Sequence, residues 1–340
     1  MKRLAAIILA AVLLLFTGCA PRAVTTELYA MDTVMTVTAY GSAAGDVLAE
    51  AAALLNRLER QLSRTLEDSE VSALNASAGT AVTVSTDTVE LLKLAGEFAQ
   101  ATGGAFDVTV APVVSAWGFT ADTHRVPTEL ELASLLARVD HSSVTVDGTS
   151  AALALGQAVD LGGIAKGYAA ARLAALFEQH GVEHAIAALG GNIYARGTKP
   201  DGSPWRIGVQ DPADTAAYAG ILSLTDGFAV TSGAYQRYFE QDGKFYHHII
   251  DPADGYPADS GLASVTVVAS AADPKHGAMC DAFSTALFVM GEEQAVEFWR
   301  GSGYDFDMIL ITEDGRLLAT AGLESAFQPT EGGFAYEIIR

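Results

Sequence analysis

Gln157–Arg172 reads QAVDLGGIAKGYAAAR. An apolar run ends at Asp160, breaks at Gly162 and Gly163, and resumes as a helical pattern whose first turn carries Lys166. A helix N-terminus presents unpaired backbone N–H groups and the positive end of the helix dipole, which attract phosphate. Paired glycines let a phosphate approach the backbone with no Cβ in the way. Lys166 adds a compact positive charge, and Asp160 is a possible partner for a cation. Neither the dinucleotide spacing G-x-G-x-x-G nor the P-loop spacing is present, so this is not a standard nucleotide loop. Two readings stand at this point: a phosphate site, or a glycine-rich turn from strand to helix.

Working outward, the spacing predicts helices over Asp46–Leu62, Asp87–Gln100, Pro127–Val139 and Ile164–Gln179. A hairpin is expected at Val144–Leu155 about Asp147-Gly148, and strand-like alternation runs over Leu28–Tyr40 and Phe106–Val110. The second half is strand-rich: Ala185–Leu189, Trp205–Gln210, Gly220–Leu224, Phe228–Thr231, Phe245–Ile250 and Ala263–Ala269. Helices follow at Lys275–Met290 and Glu292–Gly301, with a last strand near Asp305–Thr312. Irregularly ordered helices and strands without a repeat or low-complexity linker predict an α+β fold rather than a doubly wound sheet.

The first residues read as an export signal: Lys2 and Arg3, then an apolar run Leu4–Phe16 ending at Thr17-Gly18-Cys19. That run is too short to span a bilayer. Small residues before a cysteine match a bacterial lipoprotein cleavage site, so residues 1–18 are expected to be removed and Cys19 to be acylated. Residues 19–27 would then be a tether and 28–340 one domain. The expected location is the outer face of the cytoplasmic membrane, or the periplasm where there is an outer membrane, with the membrane surface engaged through the lipid. Loss of Lys2 and Arg3 takes the formal net charge from −21 to −23. So acidic a chain is repelled by DNA and RNA, and nucleic-acid binding is not expected. Apart from Cys19 the only cysteine is Cys280, which excludes an intramolecular disulfide in the mature chain. Its apolar helical surroundings fit a small buried hydrophobe.

Four further stretches bear on chemistry. In DAFSTALFVM (Asp281–Met290), Asp281 and Thr285 stand four apart on one helix face. A carboxylate and a hydroxyl there suit a hard cation such as Mg²⁺, although Thr285 would equally bond its own helix backbone. In FYHHIIDPADGY (Phe245–Tyr256), strand alternation lets only one of His247 and His248 face a given site. Such a histidine is either a general base or a half-buried structural group. In GGAFDVTVAPVVSAWGF (Gly103–Phe119), Phe106, Trp117 and Phe119 offer faces for a planar ring, and Asp107 a carboxylate for a ribose or amide; core packing is the alternative. Thr231-Ser232-Gly233 offers hydroxyls and N–H groups to an anion, or a simple turn. No cysteine–histidine cluster has zinc spacing, and Ser232 lacks the context of a hydrolase nucleophile.

Taken in order, these stretches resemble the bacterial FAD:protein FMN transferase family, the ApbE-like proteins long labelled thiamin-biosynthesis lipoproteins. The resemblance spans MDTVMTVTAY (Met31–Tyr40), DSEVSALN (Asp68–Asn75), the Gly103–Phe119 segment, VDLGGIAKGY (Val159–Tyr168), ALGGNIYARG (Ala188–Gly197) and WRIGVQDP (Trp205–Pro212). It continues through AVTSGAYQRYF (Ala229–Phe239), HHIIDPADGYP (His247–Pro257) and DAFSTALFVMG (Asp281–Gly291). It implies mainly antiparallel sheets with packed helices, in two intimate lobes around a cofactor cleft. It also implies a Mg²⁺-dependent reaction that splits FAD and attaches FMN, as a phosphoester, to a Thr or Ser hydroxyl of flavoproteins in membrane redox complexes, releasing AMP. By position, Asp281, Thr285 and the Ala165 carbonyl are the implied metal ligands. Met31, Ala105, Phe106, Asp107, Gly162, Tyr168 and Ile249 fall where the family holds FAD, with Lys166 beside the phosphates. His248 matches the reactive-site histidine, a candidate for taking the acceptor's proton. The chain departs from the pattern at Asn192, where Asp is frequent, at Ala171, where an acid is frequent, and at Leu66, where an aromatic is frequent. Two other readings remain: an FAD pyrophosphatase, in which water replaces the acceptor, and a flavin-binding lipoprotein without catalysis.

Overall fold

The computed structural model describes residues 22–119 and 123–340; the expected signal segment and Cys19 lie outside them. Strands β1 (Ala23–Ala30) and β2 (Thr33–Tyr40) form an antiparallel hairpin. The sequence reads as one alternating run over Leu28–Tyr40, but the chain reverses at Met31 and Asp32, with φ of 51° and 58°. Two successive positive φ values make a tight primed turn, and neither residue is the Gly or Asn that announces one. β1 also begins earlier than expected. Residues 23–27, assigned to the tether, pair with residues 36–40 of β2 because their alternation fits the ladder.

Helices α1 (Ala44–Leu62), α2 (Glu70–Ala76) and, after the short β3 (Val82–Thr83), α3 (Thr86–Ala101) follow. Ser69 and Ser85 cap α2 and α3, each accepting a backbone N–H three residues on. The segment Phe106–Val110, expected as a strand, is instead a 3₁₀ turn leading into α4 (Ala111–Trp117). Its β-branched residues suggest a strand, yet Asp107 caps the turn and Pro112 suits the first turn of the helix. Then come α5 (Glu129–Leu136), the expected hairpin as β4 (Thr145–Asp147) and β5 (Ser150–Ala152), and α6 (Ala165–Gln179).

The strands β6 (Ala185–Leu189), β7 (Asn192–Arg196), β8 (Trp205–Gln210), β9 (Tyr218–Leu224) and β10 (Gly227–Gly233) precede a separate ribbon of β11 (Tyr238–Gln241) and β12 (Lys244–His247). After β13 (Leu262–Ser270), α7 (His276–Gly301) is interrupted at Gly291, with φ 76° and ψ 174°, where the sequence places the break between two helices. The chain continues past the expected last strand, β14 (Asp307–Thr312), into β15 (Arg316–Thr320), β16 (Phe327–Pro329) and β17 (Ala335–Ile339).

Nine strands make the central sheet in the order β1-β2-β6-β7-β10-β13-β14-β15-β17. Every neighbouring pair is antiparallel except β15 with β17. Both faces of its centre are covered, so β13 and β14 are buried along nearly their whole length, Ser264 and Thr266 included, rather than on alternate residues. Val267 and Leu310 belong to the large core shared with the helices. Val268 and Ile309 face the core under the β8-β9-β16 sheet. A third, smaller cluster gathers Val113, Trp117, Phe119, Leu132 and Ile250, with Phe239 and Tyr246 of the ribbon packed on it. The α+β architecture with mainly antiparallel sheets is thus as expected.

Candidate active site

A cavity of about 650 Å³ opens where the large core meets the Trp117 cluster, a volume ordinary for a ligand site. Phe106, Ala165 and Ile249 of the first and Val114, Phe119 and Ile250 of the second share its wall. The cavity thus lies between two apolar clusters.

The glycine turn forms one side. Asp160, Gly162, Gly163, Ala165 and Lys166 all line the cavity. The Asp160 Oδ1 accepts the Gly162 N–H at 2.9 Å, which holds the turn. Its Oδ2 pairs with the Arg64 Nε at 2.9 Å, so the cation beside Asp160 is a guanidinium. Arg64 is too distant in sequence for spacing to reveal it. The Lys166 Nζ donates to the Gly162 carbonyl at 3.2 Å, folding the ammonium back over the turn.

The oxygen-bearing side comes from α7. A Cβ built on Gly163 would lie 3.3 Å from the Phe106 ring and 3.7 Å from the Thr285 Oγ1, so the turn, the ring and α7 meet there. One turn further on, α6 and α7 cross nearly backbone to backbone. A Cβ on Gly167 would come within 2.1 Å of the Gly277 carbonyl oxygen, and one on Gly277 within 2.4 Å of the Gly167 oxygen. The closeness lets the Gly167 N–H donate to the Asp281 Oδ2 at 2.8 Å. A Cβ on Gly277 would also stand 3.0 Å from the Ala171 Cβ, so Gly277 has no room for a side chain on that side either.

Asp281 is 4 % exposed. Its Oδ1 accepts the Asn192 Nδ2 at 3.3 Å, and the Asn192 Oδ1 is buried without any hydrogen-bond partner. The Ser232 Oγ lies 2.8 Å from the Ser284 Oγ and 3.3 Å from the Thr285 Oγ1. Ala165, Asn192, Ser232, Asp281 and Thr285 thus share one wall. Among the described residues no three His, Cys, Asp or Glu side chains cluster as metal ligands. One carboxylate among neutral oxygens does fit a hard cation, which takes carboxylate, carbonyl and hydroxyl ligands. The unmet Asn192 oxygen beside that carboxylate agrees with a missing electropositive neighbour.

The two histidines part as strand alternation demands. His247 is 7 % exposed; its Nε2–H donates to the Ala258 carbonyl at 3.1 Å and its Nδ1 accepts the Ile249 N–H at 3.2 Å. It is structural. His248 lines the cavity. The Arg237 carbonyl accepts both its backbone N–H, at 3.1 Å, and its ring Nδ1–H, at 3.2 Å. A carbonyl only accepts, so the proton sits on Nδ1 and the Nε2 lone pair is left available. Enclosure by the cavity walls lowers the pKa to about 4, with positive neighbours adding to the shift, so the ring is neutral at ordinary pH. The Arg237 side chain reaches back to the Asp32 carbonyl at 3.4 Å, tying the ribbon to the β1–β2 turn.

The other expected nucleotide contacts divide. Met31, Ala105, Phe106, Gly162, Lys166 and Ile249 line the cavity, with the Met31 N–H fixed on the Glu59 Oε1 at 2.9 Å. Asp107 also borders it, but its oxygens are occupied. Oδ1 accepts the Thr109 N–H and hydroxyl at 2.8 and 2.6 Å, and Oδ2 lies 3.1 Å from both the N–H and the Nδ1 of His141. Tyr168 is not among the lining residues. Two positions beyond Lys166, it projects from the opposite side of α6. There it is buried, with its hydroxyl 2.9 Å from Asp87 and 3.0 Å from Glu90. A lone polar residue in a strand, Asn192, gave no signal of its role beyond its place in the motif.

The described family that matches is the ApbE family, over residues 31–310. A Klebsiella pneumoniae FAD:protein FMN transferase is 35 % identical over 291 residues, covering 84 % of this chain and 88 % of the relative. A Treponema pallidum FAD:protein FMN transferase is 36 % identical over 308 residues, 85 % of this chain and 83 % of its own. The crystal structure of the ApbE protein of Thermotoga maritima superposes with a TM-score of 0.80 at 31 % identity, covering 91 % of this chain and 97 % of that one. The flavin transferase ApbE from Vibrio cholerae gives 0.79 at 31 % identity, over 90 % and 99 %. With the family matched over residues 31–310 and relatives at 35–36 % identity over most of both chains, this chain belongs to the ApbE family.

Proposed function

We propose that the protein is an FAD:protein FMN transferase that uses Mg²⁺, takes FAD as substrate, and joins FMN to a Thr or Ser hydroxyl of an acceptor flavoprotein, releasing AMP. The observation that carries this reading is the convergence, on one cavity, of a phosphate-suited glycine turn, a single carboxylate among neutral oxygens, and a neutral histidine with a free Nε2. The name borne by the relatives supports the same activity.

Asp281, Thr285 and the Ala165 carbonyl would hold the ion, with Ser232 and Asn192 beside them. When bound, the ion neutralises pyrophosphate charge. The chain's own groups do the rest. The α6 N-terminus and Lys166 face the phosphates, and the Arg64–Asp160 pair keeps the Gly162 turn in shape. Phe106 and Phe119 supply apolar wall for the isoalloxazine ring. The His248 Nε2 takes the proton of the acceptor hydroxyl as its oxygen bonds to the FMN phosphorus; the bond from that phosphorus to the bridging oxygen breaks, and AMP leaves with the electron pair. Shielding this centre from water favours the acceptor over hydrolysis.

The test is incubation with FAD, Mg²⁺ and a cell-envelope acceptor fraction, followed by denaturing electrophoresis. Covalent flavin fluorescence on an acceptor band supports transfer, whereas free FMN and AMP alone would make the protein a pyrophosphatase, and intact FAD a mere binder. Export and acylation at Cys19 belong to the same proposal, supported by the sequence before it. Cys19→Ser is expected to release the protein from the membrane fraction.

A further inference from the structure

We infer that the side-chain oxygen of Asn192 is itself a ligand of the divalent ion, and that its neutrality makes the ion's affinity depend on FAD. This rests on the cavity being the Mg²⁺ site proposed above. Asn192 is 2 % exposed, belongs to β7, and lines the same cavity as Asp281. Its Nδ2 is committed, donating to the Asp281 Oδ1 at 3.3 Å. The opposite assignment would set two oxygens against each other, so Oδ1 is the end left over. That atom is buried and has no partner. A buried carbonyl oxygen without a donor is costly and rare, and here it flanks the buried carboxylate of Asp281, whereas the other buried carboxylate of the cavity, Asp107, is taken up by Thr109 and His141. A cation shared with Asp281 satisfies it; nothing else on the wall does.

The charge count then follows. Asp281 contributes a single negative charge, while Asn192, Thr285, Ser232 and the Ala165 carbonyl contribute none. A protein shell of charge −1 holds Mg²⁺ weakly, since that ion is ordinarily bound by one or two carboxylates together with substrate phosphates. The pyrophosphate of FAD supplies the missing charge. By linkage, ion and dinucleotide each raise the other's affinity by the same factor. The amide thus keeps the site from filling before substrate arrives.

Binding of Mn²⁺, followed by the electron paramagnetic resonance of the free ion with and without FAD, tests this without turnover. Wild type is expected to bind Mn²⁺ weakly alone and more tightly with FAD. Asn192→Leu, which keeps the volume but removes the oxygen, should bind it about tenfold more weakly in either condition, with FAD binding in EDTA unchanged. Asn192→Asp should bind it about tenfold more tightly without FAD and lose much of the enhancement by FAD. Wild-type Mn²⁺ affinity in Asn192→Leu would overturn the inference. So would an unchanged affinity in Asn192→Asp, which covers the case of a leucine variant that does not fold. Asp281→Ala separates the two levels: if it loses Mn²⁺ while the Asn192 variants do not, only the role of Asn192 falls. If Asp281→Ala binds like wild type, the cation site beneath the functional proposal falls too.

Discussion

The His248 Nδ1–H is spent on the Arg237 carbonyl, and enclosure lowers the ring's pKa to about 4. A base works when unprotonated, so kcat/KM should fall as pH drops through about 4 and be level with respect to this group above it. Phosphates bound nearby would raise that value, offsetting Lys166 and Arg237, and so the pH profile of kcat should lie higher than that of kcat/KM. His248→Ala is expected to slow transfer by about 10²–10⁴ while leaving FAD affinity in place, as read by single-turnover rates beside equilibrium titration. Tyr168 makes the opposite prediction. Its hydroxyl bonds Asp87 and Glu90 away from the cavity. Tyr168→Phe should therefore cost about 1 kcal/mol of stability in a denaturant titration, with the KM for FAD unaltered. Among single residues, those with one dominant option were legible in the sequence. Strand alternation allowed only one of the two histidines into the cleft. Asp107 does border the cavity, but its bonds to Thr109 and His141 were not legible, because His141 is distant in sequence.

At the scale of elements, the site depends on α6 and α7 touching. Gly167→Ala places a carbon 2.1 Å from a backbone oxygen and 2.6 Å from the Asp281 Cβ, so the helices must part. Overpacking of this kind should cost roughly 1–3 kcal/mol, and the displaced Asp281 should reduce Mn²⁺ binding as well. Gly291→Ala, forced to φ 76°, should cost a similar amount, about 1–3 kcal/mol, but leave Mn²⁺ binding unchanged. Thermal melts and ion titrations on both variants separate the two effects. The long helices and the break at Gly291 were readable because period and glycine agreed there. The β1–β2 turn was not, since Met31 and Asp32 hold left-handed φ without a glycine, fixed in part by the bond from Met31 to Glu59. The strands after Thr312 were missed because their order in the sheet, and the parallel pairing of β15 with β17, come from long-range contacts that local pattern does not encode.

For the molecule as a whole, the cavity wall is drawn from two apolar clusters, so a ligand there bridges them. FAD with Mg²⁺ should raise the unfolding temperature more than either alone, with about 2.7 kcal/mol gained when the free ligand stands at a hundred times its Kd. Scanning calorimetry with each component checks this, and additive shifts would argue that the two bind independently. The cations Arg64, Lys166 and Arg237 line the cleft of a chain whose formal net charge is −21. Asp32, Glu59, Asp107, Asp160 and Asp281 line it too, so the pull on a dinucleotide comes from where the three cations stand and not from the net charge of the cleft. The strands β11 and β12 stand apart from the nine-stranded sheet, and the carbonyl that orients His248 belongs to the residue just before them. Two aromatic side chains of that ribbon, Phe239 and Tyr246, rest against Trp117, so weakening this distant packing would misaim the imidazole while the glycine turn stayed intact.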